Sequence, residues 1–276
     1  MLSLWLVQGD APGTVYGTPE AADVVNEPTE GNDMMTVKRL AGAALAMLIV
    51  GAILANSAMA EEAVTKPSFW YTAGVKATNG QTKVVTCAAG EHEGSKTLRL
   101  NGTIGEGAGT PVELTATSVS CIKHNAESTE PGATIVQNGS SAQAIGRIQF
   151  GGVAVAKPTG CTVASTLTTN PLKSEVYMES GSTTKVFQRF EPTGTEFLKV
   201  TISGCSVAGT YAVKGFTYGE ALNPTNKEAT TQSLTFSEAI EKTAKGTLKF
   251  AGNPAYLTGR VDNTLEKSTA FKANES

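Results

Sequence analysis

The sequence predicts an all-β chain: an antiparallel β-sandwich, with the alternative of two small β subdomains, following a cleaved N-terminal signal helix. Three observations predict it. Apolar and polar residues alternate with period two in several segments, strong turn formers separate those segments, and no sustained apolar spacing of the helical kind occurs. Strands with one wet face belong to antiparallel sheets, and two such sheets bury their apolar faces against each other.

In chain order, residues 1–33 come first. They hold no Lys or Arg and six acids: Asp10, Glu20, Asp23, Glu27, Glu30 and Asp33. A secretory signal peptide then spans 34–60. Met34-Met35 and the basic pair Lys38-Arg39 lead into an apolar run from Leu40 to Ala55, and Ala58-Met59-Ala60 forms a small-x-small cleavage site before Glu61. A strongly acidic segment ahead of that pattern opposes normal membrane orientation, which positive charge sets. Residues 1–33 therefore read as a start placed too early, with a disordered extension as the alternative. The apolar run falls short of the roughly 20 residues that span a bilayer comfortably.

Removing the leader changes the charge balance. The chain has 22 basic and 25 acidic side chains, of which two and six lie before residue 61, leaving 20 and 19. A balanced exported domain without a basic run offers nothing to nucleic acid or to an anionic membrane. No second apolar segment follows that could hold it in a bilayer, and no Cys stands at the cleavage site for lipid attachment.

Residues 61–156 and 157–276 form two β regions. In the first, Phe69-Trp70-Tyr71 reads as an opening strand that tucks aromatics inward. Val112, Leu114 and Ala116 share one face of a strand, and Ala144, Gly146, Ile148 and Phe150 share a face of another with Arg147 and Gln149 opposite. In the second, Leu198, Val200 and Ile202 alternate with Lys199 and Thr201. Tyr211, Val213 and Gly215 follow, then Leu248–Phe250 and Tyr256–Val261. Asn79-Gly80, Asn101-Gly102, Pro131-Gly132, Asn138-Gly139, Pro158-Thr159-Gly160, Pro192-Thr193-Gly194 and Asn223-Pro224 read as breakers between strands. One helical turn is expected around Glu238–Ala244.

All four cysteines, Cys87, Cys121, Cys161 and Cys205, follow the cleavage site, and an even number in an exported chain argues for disulfides. Four allow three connectivities. Nearness in sequence and the matching contexts Gly160-Cys161-Thr162-Val163-Ala164 and Gly204-Cys205-Ser206-Val207-Ala208 favour Cys87–Cys121 and Cys161–Cys205. The competing use is zinc: Cys87-x4-His92 and Cys121-x2-His124 make a tetrahedral set of two Cys and two His. That set is loosely spaced, and zinc thiolates belong mainly inside cells.

Catalytic sets are sparse. The only Asp after the leader is Asp262, and no Gly-x-Ser-x-Gly elbow seats a serine beside His92 or His124. Calcium loops need several close oxygen ligands, and a single Asp argues against them. Glutamate pairs for glycoside hydrolysis exist on paper: Glu91 with Glu93, Glu175 with Glu179, Glu191 with Glu196. The plainer reading of each is a solvated face. No residue pattern calls for a cofactor.

The segments Gly160–Val163, Leu167-Thr168-Thr169-Asn170-Pro171-Leu172, Gly204–Tyr211 and Leu248–Phe250 give the chain a family resemblance. It resembles a group of secreted β-rich proteins of high-GC Gram-positive soil bacteria that have no assigned activity. The resemblance covers roughly 95–265 and is densest after 158. Members often carry a further Gly-Cys after the aromatic of a preceding strand, where this chain reads Phe150-Gly151-Gly152-Val153. The resemblance implies export and β structure, not a reaction.

The function expected is that of a secreted, non-catalytic binding or interaction module, extracellular or envelope-associated, with a protein or glycan as partner. A secreted hydrolase using a Glu pair and a Cys/His zinc-stabilised domain are the alternatives. N-terminal sequencing of exported material is expected to begin at Glu61; retention of residues 1–33 would overturn the reading of the leader.

Overall fold

The computed structural model describes residues 64–67, 69–72, 75–125, 127–138, 141–179, 185–222, 228–268 and 270–274. The signal peptide, its cleavage residues Ala58, Ala60 and Glu61, and Asn223-Pro224 lie outside the described residues.

The described strands, in chain order, begin with β1 (Val64–Pro67), β2 (Phe69–Thr72), β3 (Val75–Lys76), β4 (Thr82–Gly90), β5 (Leu98–Ile104), β6 (Thr110–Ala116) and β7 (Ser118–Ile122). Next come β8 (Ala133–Asn138), β9 (Ser141–Gly151), β10 (Ala154–Lys157), β11 (Thr162–Val163), β12 (Thr166–Thr168) and β13 (Leu172–Glu179). The chain continues through β14 (Val186–Pro192), β15 (Leu198–Ser203), β16 (Gly209–Lys214), β17 (Thr217–Ala221) and β18 (Thr231–Phe236). A short helix α1 (Glu238–Thr243) follows, then β19 (Lys249–Phe250), β20 (Asn253–Pro254), β21 (Tyr256–Leu265) and β22 (Phe271–Asn274).

The all-β, antiparallel expectation holds, but the largest sheet closes on itself instead of facing a second sheet. Neighbouring strands run β4, β8, β9, β13, β14, β17, β18, β21, and β21 pairs back onto β4 from Arg260↔Gly90 to Leu265↔Val85. Eight antiparallel strands in chain order make an up-and-down barrel, which removes exposed sheet edges. Strands from 61–156 and from 157–276 share this one ring.

Every second connection of the ring is long. β5–β7 are inserted between β4 and β8, β10–β12 between β9 and β13, β15–β16 between β14 and β17, and α1 with β19–β20 between β18 and β21. Because alternate strands point the same way, all four insertions emerge at one end of the barrel. There they build a two-layer cap. One layer is β10-β6-β5 continuing from β21, with β7 and β12 flanking the far half of β9; the other is β11-β15-β16-β19-β20. The period-two faces read from the sequence meet in this cap. Leu198, Val200 and Ile202 are buried from β15, Val213 from β16, Val112, Leu114 and Ala116 from β6, and Phe250 and Phe197 lie fully inside. Burying a side chain of this size is worth about 1.5–3 kcal/mol each, so the cap holds the main hydrophobic core. The sandwich expectation describes the cap and misses the barrel.

The opposite end has short connections. Asn138 pairs with Ser141 across the β8–β9 hairpin. The terminal strands gather at that end: β1 pairs with Tyr177–Glu179 of β13, and β22 pairs with β2.

Asn101-Gly102, expected as a turn, lies inside β5. Gly102 serves packing: a Cβ there would sit 2.7 Å from the Cβ of Phe250, so the strand needs glycine to let the ring of the opposite layer approach. The helical turn forms as expected, with the Ser237 hydroxyl accepting from the Ile240 N–H as N-cap.

The disulfides pair Cys87 with Cys121 and Cys161 with Cys205. The first ties β4 to β7, which pairs with β9 but makes no backbone ladder with β4. The second joins the two Gly-Cys corners where β11 meets β15, and Gly160 and Gly204 both take φ near +80°, a conformation suited to glycine. Replacing Cys87 and Cys121 together by Ser is expected to lower unfolding stability by about 4 kcal/mol, from the loop-entropy model for a crosslink of 34 residues' separation. Urea unfolding of the variant beside the parent checks this.

Candidate functional site

The inner wall of the barrel is the candidate site. Side chains of a strand alternate in and out, so register fixes which residues face the lumen. Ala144 of β9 lies opposite Ile135 of β8 and Ser174 of β13, and Gly146 opposite Leu172. Ser174 is opposite Phe190 of β14, and Val176 opposite Gln188. Leu234 is opposite Ala221 and Val261, and Asn263 opposite Gln232 and Cys87. Several inward positions are small: Ala133, Ala142, Ala144, Gly146, Ser174 and Ala221. Eight strands leave an interior that side chains can only just fill. Here they leave a cavity of about 110 Å³, walled by these small residues and by Val85, Ile148, Val176, Val186, Phe190, Leu234 and Phe271. A second void of about 30 Å³ lies in the cap among Leu98, Phe197 and Leu248, near the size of a packing defect.

The polar groups facing the cavity are neutral. Gln188 donates from Nε2 to the Ser174 Oγ at 2.7 Å, and Gln232 donates from Nε2 to the Phe271 carbonyl. The Asn263 amide lines the cavity with no hydrogen bond to another described residue. Arg147 borders the cavity, yet its guanidinium turns outward to the carbonyls of Lys123 and Ser128. Phe271, on β22, closes one side of the space; its backbone bridges to Ala229.

Of the residues singled out from the sequence, Cys121 borders the cavity and the others lie elsewhere. Cys87 and Cys121 are bonded to each other, so neither sulfur is a thiolate ligand. His92 sits in the turn after β4, bridged to Ser95, and His124 is exposed in the β7–β8 loop. No group of three or more metal-ligating side chains gathers among the described residues. The glutamates stand on the outside: Glu175 pairs with Lys173, Glu179 with Lys185, Glu191 with Arg189, Glu196 with Lys199, and exposed Glu93 lies beside His92. None borders the cavity. Asp262 accepts from the Arg260 Nε at 2.9 Å and from the Ser233 hydroxyl at 2.6 Å on the outer wall, with no His in the cluster.

The outer wall of β13, β14 and β17 carries a close-packed cluster. The Arg189 guanidinium stacks over the rings of Phe216 and Tyr177, 5.0 and 5.6 Å from their centres. Burial pushes the Glu175 carboxyl up, but hydrogen bonds from Lys173 and Tyr177 and the charges of Lys173 and Arg189 outweigh it and leave it below the ordinary range. Burial and the bond to Glu175 push the Tyr177 phenol up, so it stays protonated. These groups satisfy one another on the outer wall.

Sequence reading missed Glu241. It sits on α1, is buried, and its Oε2 accepts from the Thr217 hydroxyl at 2.8 Å and the Tyr218 N–H at 3.2 Å. Gly246 makes the room: a Cβ there would lie 2.0 Å from the Glu241 Oε1. Burial raises its carboxyl above the usual range, with the hydrogen bonds from Thr217, Tyr218 and Leu248 opposing. The only sequence signal was an acid in the middle of an otherwise plain helical turn. Comparison with protein-family models, with curated proteins and with solved structures finds no match to this chain.

A carboxyl raised in the folded state binds its proton more tightly there than in the unfolded chain. Its contribution is fully present below the unfolded value of about 4.5 and falls as pH rises through the folded value. Glu241→Gln is expected to flatten the stability slope between pH 4.5 and neutrality. Urea unfolding across that range checks it, and an unchanged slope would contradict the assignment.

Proposed function

We propose that the mature chain is an exported, non-catalytic binding protein whose barrel takes up a small apolar molecule. The observation that carries this reading is the cavity of about 110 Å³, walled by apolar and small side chains inside a ring with no edge. Ligand sites are typically apolar concavities with a few placed polar groups, and an eight-stranded barrel is wide enough for one small ligand. Among the described residues no charged group is aimed into the space, and this, with the ion pairing of the candidate glutamates on the outer wall, supports binding over hydrolysis. The reading keeps the binding-module class expected from the sequence and makes a small molecule the principal ligand in place of a protein or glycan.

Export by the signal peptide over 34–60 is part of the proposal. Two disulfides suit an oxidising, non-cytoplasmic environment, and no described helix is long and apolar enough to cross a membrane. The outer barrel wall carries Lys173, Glu175, Arg189, Glu191, Arg260 and Asp262, where a lipid-facing wall needs apolar side chains. The resemblance to secreted proteins of Gram-positive soil bacteria belongs to the same proposal.

The test is a titration with toluene followed by amide NMR shifts. Toluene is expected to move the resonances of Ala144, Val176 and Leu234 and to raise the melting temperature; saturation at 100 times Kd stabilises by about 2.7 kcal/mol. Ala144→Leu, which grows a side chain into the cavity, is expected to abolish both effects while leaving the fold intact. Shifts confined to the outer surface would sink the reading.

A further inference from the structure

The ring places the polar groups of the cavity on opposite walls. Around the eight strands, β21 and β13 stand four positions apart, which is half the circle. Asn263 projects from β21; Ser174 projects from β13 and its partner Gln188 from the adjacent β14. Ser174 and Gln188 already hold each other through one hydrogen bond, which fixes the amide and leaves the Gln188 carbonyl oxygen without a donor among the described residues. Asn263, across the lumen, has both its donor and its acceptor free among the described residues. A half-buried amide in an apolar wall with no protein partner is a position for a ligand atom, because an unmade hydrogen bond there is costly.

Volume narrows the class. A cavity of roughly 150 Å³ lined by aliphatic residues holds benzene, so about 110 Å³ sets one small ring as the upper limit and excludes acyl chains and polycyclic ligands. Charge narrows it again. Among the described residues no cationic or anionic head points inward to compensate an ion, and an uncompensated charge is strongly disfavoured in an apolar space.

Resting on the small-molecule reading above, we infer that the barrel selects a neutral, single-ring molecule with polar groups at opposite ends. One end meets the free amide of Asn263, and the other meets the Ser174–Gln188 pair. The two amides supply donors and acceptors at both ends, so the ligand class is that of phenolic or ring-carbonyl compounds.

Two ligand pairs of matched size test this on the unmodified protein by calorimetry and amide NMR. Hydroquinone and p-xylene share their heavy-atom outline and differ in the polar ends; benzamide and benzoate share theirs and differ in charge. Hydroquinone is expected to bind about ten-fold more tightly than p-xylene, and benzamide at least ten-fold more tightly than benzoate. Asn263→Leu is expected to lose most of the preference for hydroquinone while p-xylene binding holds or improves. Gln188→Leu provides the same comparison from the opposite wall should the first variant fail to fold. Equal binding of hydroquinone and p-xylene would overturn the role of Asn263 while leaving the cavity reading in place. Benzoate binding as tightly as benzamide would overturn the neutrality of the ligand. Binding of none of the four would overturn both readings.

Discussion

The pairing of β21 with β4 is the interaction on which the rest depends. Six residue pairs, from Arg260↔Gly90 to Leu265↔Val85, join the last strand of the ring to the first. They turn an open meander into a closed wall, so that the backbone groups of both edge strands are satisfied by each other rather than by water or another chain. Without them Val85, Leu265 and Val261 would lose their shared face. The cost is a contact between residues about 175 apart in sequence, so loop closure opposes it until the intervening strands have formed. The Cys87–Cys121 bond lies in this closing strand and holds β4 against β7 at the place where the ladder with β8 has ended.

Closure also creates the vacant interior. A sandwich can draw its sheets together until side chains fill the gap, whereas a ring of eight strands has a radius set by strand number and tilt. Small residues on β8, β9, β13 and β17 then leave space that cannot collapse. The cap solves the opposite problem. Its two layers are free to close on each other, and Phe197, Phe250, Val200 and Val213 fill the space between them almost completely. One chain therefore builds a filled core from its long connections and a hollow one from its principal strands.

Local structure was legible where the chemistry is local. The alternation in 112–117, 198–202 and 256–261 marks strands because one face is wet and the other dry. Pairing of Cys161 with Cys205 was legible because both follow a glycine at a strand end. Asn101-Gly102 misled because the same dipeptide that favours a turn also serves a close approach of Phe250. Closure was not legible: many strands alternate in the same way, and alternation says which face is buried but not which strand lies beside it. The site was half legible. Ala144, Gly146 and Ile148 were assigned to the buried face, and the smallness of the first two was the available sign of a hollow. Ser174, Gln188 and Asn263 carry no local signal of a site, because the neighbours that place them on the cavity wall come from distant segments. Glu241 was hidden for the same reason, since its partners Thr217 and Tyr218 come from a strand two elements earlier.

The central claim is a closed barrel with an unfilled apolar interior. Crystallography under xenon pressure tests it most directly, because xenon enters dry apolar cavities of this size. The account predicts a xenon atom inside the ring, in contact with Ala144, Val176 and Leu234. Xenon only in the small void among Leu98, Phe197 and Leu248, or a chain of ordered waters filling the ring, would contradict it.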